Sequence, residues 1–155
     1  MRACAALGIP FIQYDASREY EEKVIKPFVN TYREGGTPNP DVLCNTHIKF
    51  GVVHSFLRQK GFSTIATGHY AQVQQQEGHN RLYRSVDDGK DQTYFIYTLP
   101  QEILDTLMFP VGGYTKKQVR AIAERARLPA AARKDSTGLC FLGAVSMKDF
   151  LSAYI

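Results

Sequence analysis

Between Ser17 and Tyr32 the apolar residues Tyr20, Val24, Ile25, Phe28 and Tyr32 recur at steps of three and four, which predicts an amphipathic helix with a kink or restart at Pro27. Gly35 and Gly36 end it. The segment TPNP then forces an extended turn, because each proline fixes its own φ and drives the preceding residue out of helical geometry. Asp41 is the expected N-cap of the next helix, with Val42, Leu43 and Cys44 at its first positions and Ile48, Val52, Val53, Phe56 and Leu57 along its apolar stripe up to Gly61. Ahead of these, ACAALG reads as a helix closed by Gly8, and Pro10 to Tyr14 as a short strand. STIAT, from Ser63 to Thr67, reads as a buried parallel strand.

The alternation of helix and strand points to an α/β sheet. Farther on, YAQVQQQ and RLYRSV, separated by Glu77 to Asn80, predict a β-hairpin. Thr115 with Gln118 forms a capping box for a helix through Val119, Ile122, Ala123 and Ala126, stopped at Pro129. Ser146 starts another, with Met147, Phe150, Leu151 and Tyr154 as its apolar positions. A chain that opens inside a helix-to-strand connection is expected to have lost an earlier strand, since a lone parallel strand has no neighbour.

Composition narrows the class. With 155 residues and 44% hydrophobic content the chain can bury an ordinary core, and no apolar run reaches the roughly 18 residues of a membrane span. Three cysteines, Cys4, Cys44 and Cys140, leave at least one unpaired and show no CxxC spacing, which favours a reducing compartment over a zinc or disulfide scaffold; no metal site is expected. Lys and Arg number 19 against 15 Asp and Glu, a net charge of +4, and Lys116, Lys117, Arg120, Arg125, Arg127, Arg133 and Lys134 fall close together. Such a cluster suits phosphate neutralisation, as it also suits a solvated helix face.

Chemistry centres on a few residues. A helix start lowers a thiol pKa through its partial positive charge and N–H groups, so Cys44 is a candidate nucleophile; a structural cysteine in the core is the alternative. Cys140 lies in RKDSTGLCFLG, where Arg133 and Lys134 supply positive charge and Leu139, Phe141 and Leu142 supply apolar cover. ATGHY ends a strand with Gly68 and His69, where ligands of α/β sheets bind; His69 either touches a nucleotide or caps the strand. GKDQTYF offers Lys90 and Gln92 for phosphate and base contacts and Tyr94 and Phe95 for packing or stacking.

Taken in order, TPNPDVLCNTHIKF, ATGHYA, KDQTYFIYTL, FPVGGYTKKQVR and KDSTGLCFLG resemble the tRNA-specific 2-thiouridylase family over essentially the whole chain. The resemblance implies an ATP-dependent sulfurtransferase that replaces O2 of the wobble uridine of tRNA with sulfur through an adenylated intermediate. It implies Cys44 as nucleophile and Cys140 as the acceptor of persulfide sulfur. Asn39, Pro40 and Asp41 would contact the target base, Asp41 doubling as an acid/base. Gly68 and His69 would serve the ATP site, and Lys90, Asp91 and Gln92 would touch tRNA.

Implied co-reactants are ATP with Mg2+ and persulfide sulfur from a donor protein, either a persulfide carrier or a cysteine desulfurase. Either direct delivery from the Cys140 persulfide or release of hydrogen sulfide by Cys44 would leave a Cys44 to Cys140 disulfide to be reduced. The family's SGGVDS-type ATP loop would precede this chain and its β-barrel would follow, so the chain reads as a central fragment.

The expected fold is α/β: a partial adenine-nucleotide α-hydrolase-like, Rossmann-like parallel sheet over residues 1–74 carrying the Cys44 loop, then a hairpin and a mostly helical tRNA-binding region over 75–155 with the second cysteine. The expected location is the cytoplasm for a bacterial source and the mitochondrion for a eukaryotic one. Two other readings are a non-catalytic tRNA-binding remnant and an ATP-independent persulfide relay. Retention of both cysteines argues against the remnant, because phosphate binding needs neither.

Overall fold

The computed structural model describes residues 2–132 and 145–154, which gather into two units that interleave along the chain. One unit holds residues 15–62 and the helix near the C-terminal end; the other holds residues 2–14 and 63–132. Gln74, the last residue of the expected first domain, lies inside a β-strand. No helix among the described residues is long and apolar enough to cross a membrane.

The helical unit is built on two long runs. The first, α2, joins Ser17–Tyr20, Glu21–Ile25 and Lys26–Arg33 without leaving helical geometry. Its middle part is wound more widely, the Lys26 amide reaching five residues back to the Glu21 carbonyl. The wide turn lets Pro27, which has no N–H, sit in the run, so the expected break at Pro27 is a local change of winding. At its end Gly35 adopts φ 80° and the Gly36 amide donates to the Thr31 carbonyl at 2.8 Å, closing the helix as its two glycines predict.

The second run, α3, joins Pro40–Leu43, Cys44–Val53 and His54–Gln59, again with a widely wound middle. It packs against α2. Val24, Phe28 and Val29 are almost fully buried, as are Ile48 and Phe50 on α3. The helix α6 (Met147–Ser152), capped by Ser146, adds Met147, Phe150 and Leu151 to the cluster of Ile25, Phe28 and Val29. The Phe28 ring meets Phe150 edge-on at 6.2 Å and Tyr32 at 5.0 Å.

The other unit begins with α1 (Arg2–Leu7), closed by Gly8 at φ 64°. Residues 9–16 that follow are irregular, not the expected strand, and Ile9, Phe11 and Ile12 are half exposed. An isolated extended segment gains no ladder hydrogen bonds, and among the described residues nothing pairs with it. The STIAT strand shortens to β1 (Ile65–Ala66), which pairs parallel with β4 (Leu107–Met108), a strand the periodicity did not reveal. Ile65 is only partly buried and Ala66 is exposed, so the expected full burial is corrected.

The hairpin forms as β2 (Ala71–Gln76) and β3 (His79–Arg84), with Val73 opposite Leu82. Its turn is tighter than expected. Glu77 (φ 51°) and Gly78 (φ 82°) both take positive φ, the two-residue geometry whose twist matches the strands, so His79 and Asn80 join the ladder. A short helix α4 (Gln101–Leu104) precedes β4, and α5 (Lys116–Arg125) follows it with the complete Thr115–Gln118 capping box. No residue of α5 is fully buried, and Ile122 is 41% exposed. The core of this unit is Ala71, Ile96, Leu104, Leu107 and Phe109.

Candidate functional site

The sequence-predicted site residues fall into two described groups, one in each unit. In the helical unit, Asn39 and not Asp41 caps α3: its Oδ1 accepts from the Val42 amide at 3.2 Å, and Pro40 takes the first helical position. Asn-Pro is a legible start signal, since asparagine caps well and proline gives up an amide the helix would orphan anyway. Asp41 is thereby the second helical residue, where a carboxylate meets the positive end of the helix dipole.

Cys44 lies one residue past the first turn. Its amide is already used, donating to the Pro40 and Asp41 carbonyls, so it does not sit at the open N-terminus that the sequence suggested. The thiol is half buried. Three positions separate it from Asp41, which makes the two side chains neighbours on the helix surface. A carboxylate and a thiol thus share one face, and the next residue, Asn45, is buried. Cys140, with Arg133 and Lys134, lies outside the described residues.

In the other unit β1 runs into Gly68 and His69. Gly68 is exposed, and a methyl added there would meet nothing within 4 Å, which leaves its backbone open to an approaching ligand. His69 is 8% exposed; Thr67 Oγ1 lies 2.8 Å from its Nδ1, and its ring meets Phe109 edge-on at 5.9 Å. Its ring thus contacts Thr67 on one side and Phe109 on the other. Tyr70 follows, its ring 5.4 Å from the Lys116 ammonium and its hydroxyl buried with no hydrogen-bond partner among the described residues.

The KDQ triplet is divided by orientation. Lys90 is exposed at the end of the tight turn Asp88–Lys90. Asp91 turns inward: one carboxylate oxygen accepts from the Ser85 amide at 2.9 Å, the other from the Thr93 hydroxyl at 2.7 Å, and Arg84 stands 3.7 Å away. Burial opposes its charge, but the Thr93 and Ser85 hydrogen bonds and Arg84 outweigh it and hold the carboxyl below its ordinary pKa. Gln92 grips Tyr70 from both sides, its amide donating to the Tyr70 carbonyl at 2.9 Å and its side-chain oxygen accepting from the Tyr70 amide at 3.0 Å. Asp91 and Gln92 thus tie the Lys90 loop to β3 and to the residue after His69.

Sequence reasoning missed one structural member of this group. Gly112 passes so close to β2 that a Cβ would lie 1.6 Å from the Ala71 carbonyl oxygen, and the signal for it was the paired glycine in FPVGGY.

Residues 1–144 match the family described as tRNA methyl transferase HUP domain. The chain is 47% identical over its 155 residues to the tRNA-specific 2-thiouridylase MnmA of Halalkalibacterium halodurans. Identity is 46% to the proteins of the same name from Bacillus velezensis and Bacillus cereus. In each case the whole chain is covered, but it spans only 42% of the relative's length.

Proposed function

The chain belongs to the tRNA methyl transferase HUP-domain family, with its adenine-nucleotide α-hydrolase-like α/β fold, and from that premise we propose that it forms part of a tRNA 2-thiouridylase. The reaction is transfer of persulfide sulfur to C2 of the wobble uridine. The observation that carries this reading is the start of α3, where Asn39, Pro40 and Asp41 precede a half-buried thiol by three to five positions of one helix.

Each residue has a role that its position supports. Asn39 holds the turn closed and Pro40, which is buried, stiffens it from behind, so that Asn39 and Asp41 present a rigid edge to the uracil. ATP, with Mg2+, supplies the adenylyl group that makes the C2 oxygen a leaving group. Gly68, with open space over its backbone, borders the nucleotide; His69 keeps that turn in place through Thr67 and Phe109. Lys90 contacts the tRNA backbone from a loop that Asp91 and Gln92 anchor.

Sulfur arrives as a persulfide on Cys140 from a donor protein, a persulfide carrier or a cysteine desulfurase. The Cys44 thiolate attacks the Cys140 Sγ; the Cys44–Cys140 bond forms as the persulfide S–S bond breaks. The outer sulfur leaves with the electron pair and bonds to C2, while the C2–O bond breaks and AMP departs with the former uracil oxygen. A thiol reductant then restores both cysteines. Asp41, three positions before Cys44 on the same helix, would accept the Cys44 proton.

The test is a chimera in which this chain replaces the matching segment of the H. halodurans relative, assayed for ATP-dependent sulfur incorporation into tRNA. We expect activity that is abolished by Cys44→Ser and by Cys140→Ser. Retained activity in either variant sinks that cysteine's role. A chimera that binds tRNA but never thiolates it favours the tRNA-binding remnant, and persulfide formation on Cys140 without nucleotide dependence or thiolation favours the relay.

A further inference from the structure

The segment after the KDQ triplet carries a feature that the thiolation chemistry leaves unused. Residues 93–98 wind tightly: Thr93–Phe95 form a turn of 3₁₀ helix, and the Ile96 amide donates to the Thr93 carbonyl at 3.0 Å. Tyr94 lies in that turn and Tyr97 just past it, beyond Ile96 at φ −129°, and the two are 57% and 71% exposed. Ile96 between them is fully buried, so it supplies the packing of this segment.

The segment is fixed at its start and at its middle. Asp91 binds the Ser85 amide and the Thr93 hydroxyl, Gln92 binds the Tyr70 backbone twice, and Ile96 plugs the core. Phe95 backs Tyr94, their ring centroids 4.1 Å apart. Two large rings thus face solvent on a backbone with little freedom left to lose, four and seven residues after the exposed Lys90 and in a chain of net charge +4.

We propose that Tyr94 and Tyr97 form a stacking platform for unpaired nucleobases of RNA; this deepens, and rests on, the tRNA reading above. Every base has a π face, so stacking on tyrosine is tolerant of sequence and adds affinity without charge. Lys90 supplies the phosphate contact that keeps such a strand in register. Amphipathic tyrosines, in place of aliphatic side chains, let the platform remain exposed when no RNA is bound.

The experiment uses the 155-residue chain and three probes: tRNA transcript, a single-stranded oligonucleotide with 2-aminopurine, and a fully paired RNA duplex. Binding is read by anisotropy and stacking by 2-aminopurine quenching. Tyr94→Ala and Tyr97→Ala should each weaken single-strand and tRNA binding by about 5- to 100-fold and remove the quench, with duplex binding and salt slope unchanged. Tyr94→Phe and Tyr97→Phe should restore both signals, which separates stacking from loss of fold.

Unaltered tRNA binding and quenching in the alanine variants overturn the platform and leave the tRNA reading standing. A chain that quenches the oligonucleotide but does not bind tRNA overturns the tRNA reading and supports the platform. Self-association abolished by the same alanines, with RNA binding intact, makes the rings a protein interface and overturns the proposal.

Discussion

Replacing Gly112 with alanine tests how tightly the fold holds the turn that follows β1. The new Cβ would lie 1.6 Å from the Ala71 carbonyl oxygen, 2.5 Å from its carbon and 3.1 Å from Gln72 Cγ, where ordinary contact begins at 3.4 Å. The two nearest obstructing atoms are backbone at the first residue of β2, so no side-chain movement relieves them, and one segment has to retreat by about 2 Å. Retreat breaks bonds that meet at Gly112: its carbonyl accepts from the Val86 amide at 3.1 Å and the Ser85 hydroxyl at 3.3 Å, and its amide donates to Phe109 at 3.1 Å. Overpacking costs about 1–3 kcal/mol, and each lost hydrogen bond adds about 1 kcal/mol.

Gly112→Ala should therefore cost about 3–5 kcal/mol, a large share of the ~5–15 kcal/mol that holds a typical domain. Gly113→Ala is the control, because a Cβ there meets nothing within 4 Å, and it should stay within about 0.5 kcal/mol. Urea unfolding of both variants gives the comparison. Ala71 lies three residues from Gly68, so nucleotide binding should weaken in Gly112→Ala and not in Gly113→Ala. Equal stability of the two variants would refute the close approach and the argument built on it.

Other perturbations separate roles that the sequence left joined. Asn39→Ala removes the cap of α3 and should lower stability by about 1 kcal/mol, with Asn39→Asp retaining it, whereas Asp41→Asn should change stability by less than about 0.5 kcal/mol; thermal melts decide which residue caps. Asp91 has a folded pKa below its unfolded one, so its contribution is present above the ordinary carboxylate range and is lost as pH falls through the folded pKa. The stability gap between wild type and Asp91→Asn, followed by urea midpoints, should be widest near neutral pH and close in acid; a gap independent of pH would contradict the charge-based role. Burial and the nearby Arg58 hold the His54 pKa low, so its cost to stability should appear as pH falls below the ordinary histidine range and vanish in His54→Gln.

What was legible in the sequence was local. Periodicity placed α2, α3 and the hairpin, and the Thr115–Gln118 pair located a complete capping box, because these signals depend on neighbours three or four residues away. The pairing of β1 with β4 was not legible, since two-residue strands 42 positions apart carry no pattern of their own. Pro10 to Tyr14 read as a strand on apolar content alone, which cannot supply a partner. At the site, residue types pointed to the right helix but misassigned its cap, because Asp41 and Asn39 are both good caps and only Pro40 at the first helical position decides between them. The inward turn of Asp91 and Gln92 depends on Ser85 and Tyr70, contacts between segments that no short window contains.

In the proposed reaction Cys44 and Cys140 act as a pair on one sulfur atom. The most direct measurement is intact and peptide mass spectrometry of the chimera after a single turnover with persulfide donor, ATP and tRNA, without reductant. The account predicts one Cys44–Cys140 disulfide for each 2-thiouridine formed, and none when ATP is left out. Thiolated tRNA with both cysteines still carrying free thiols would contradict it.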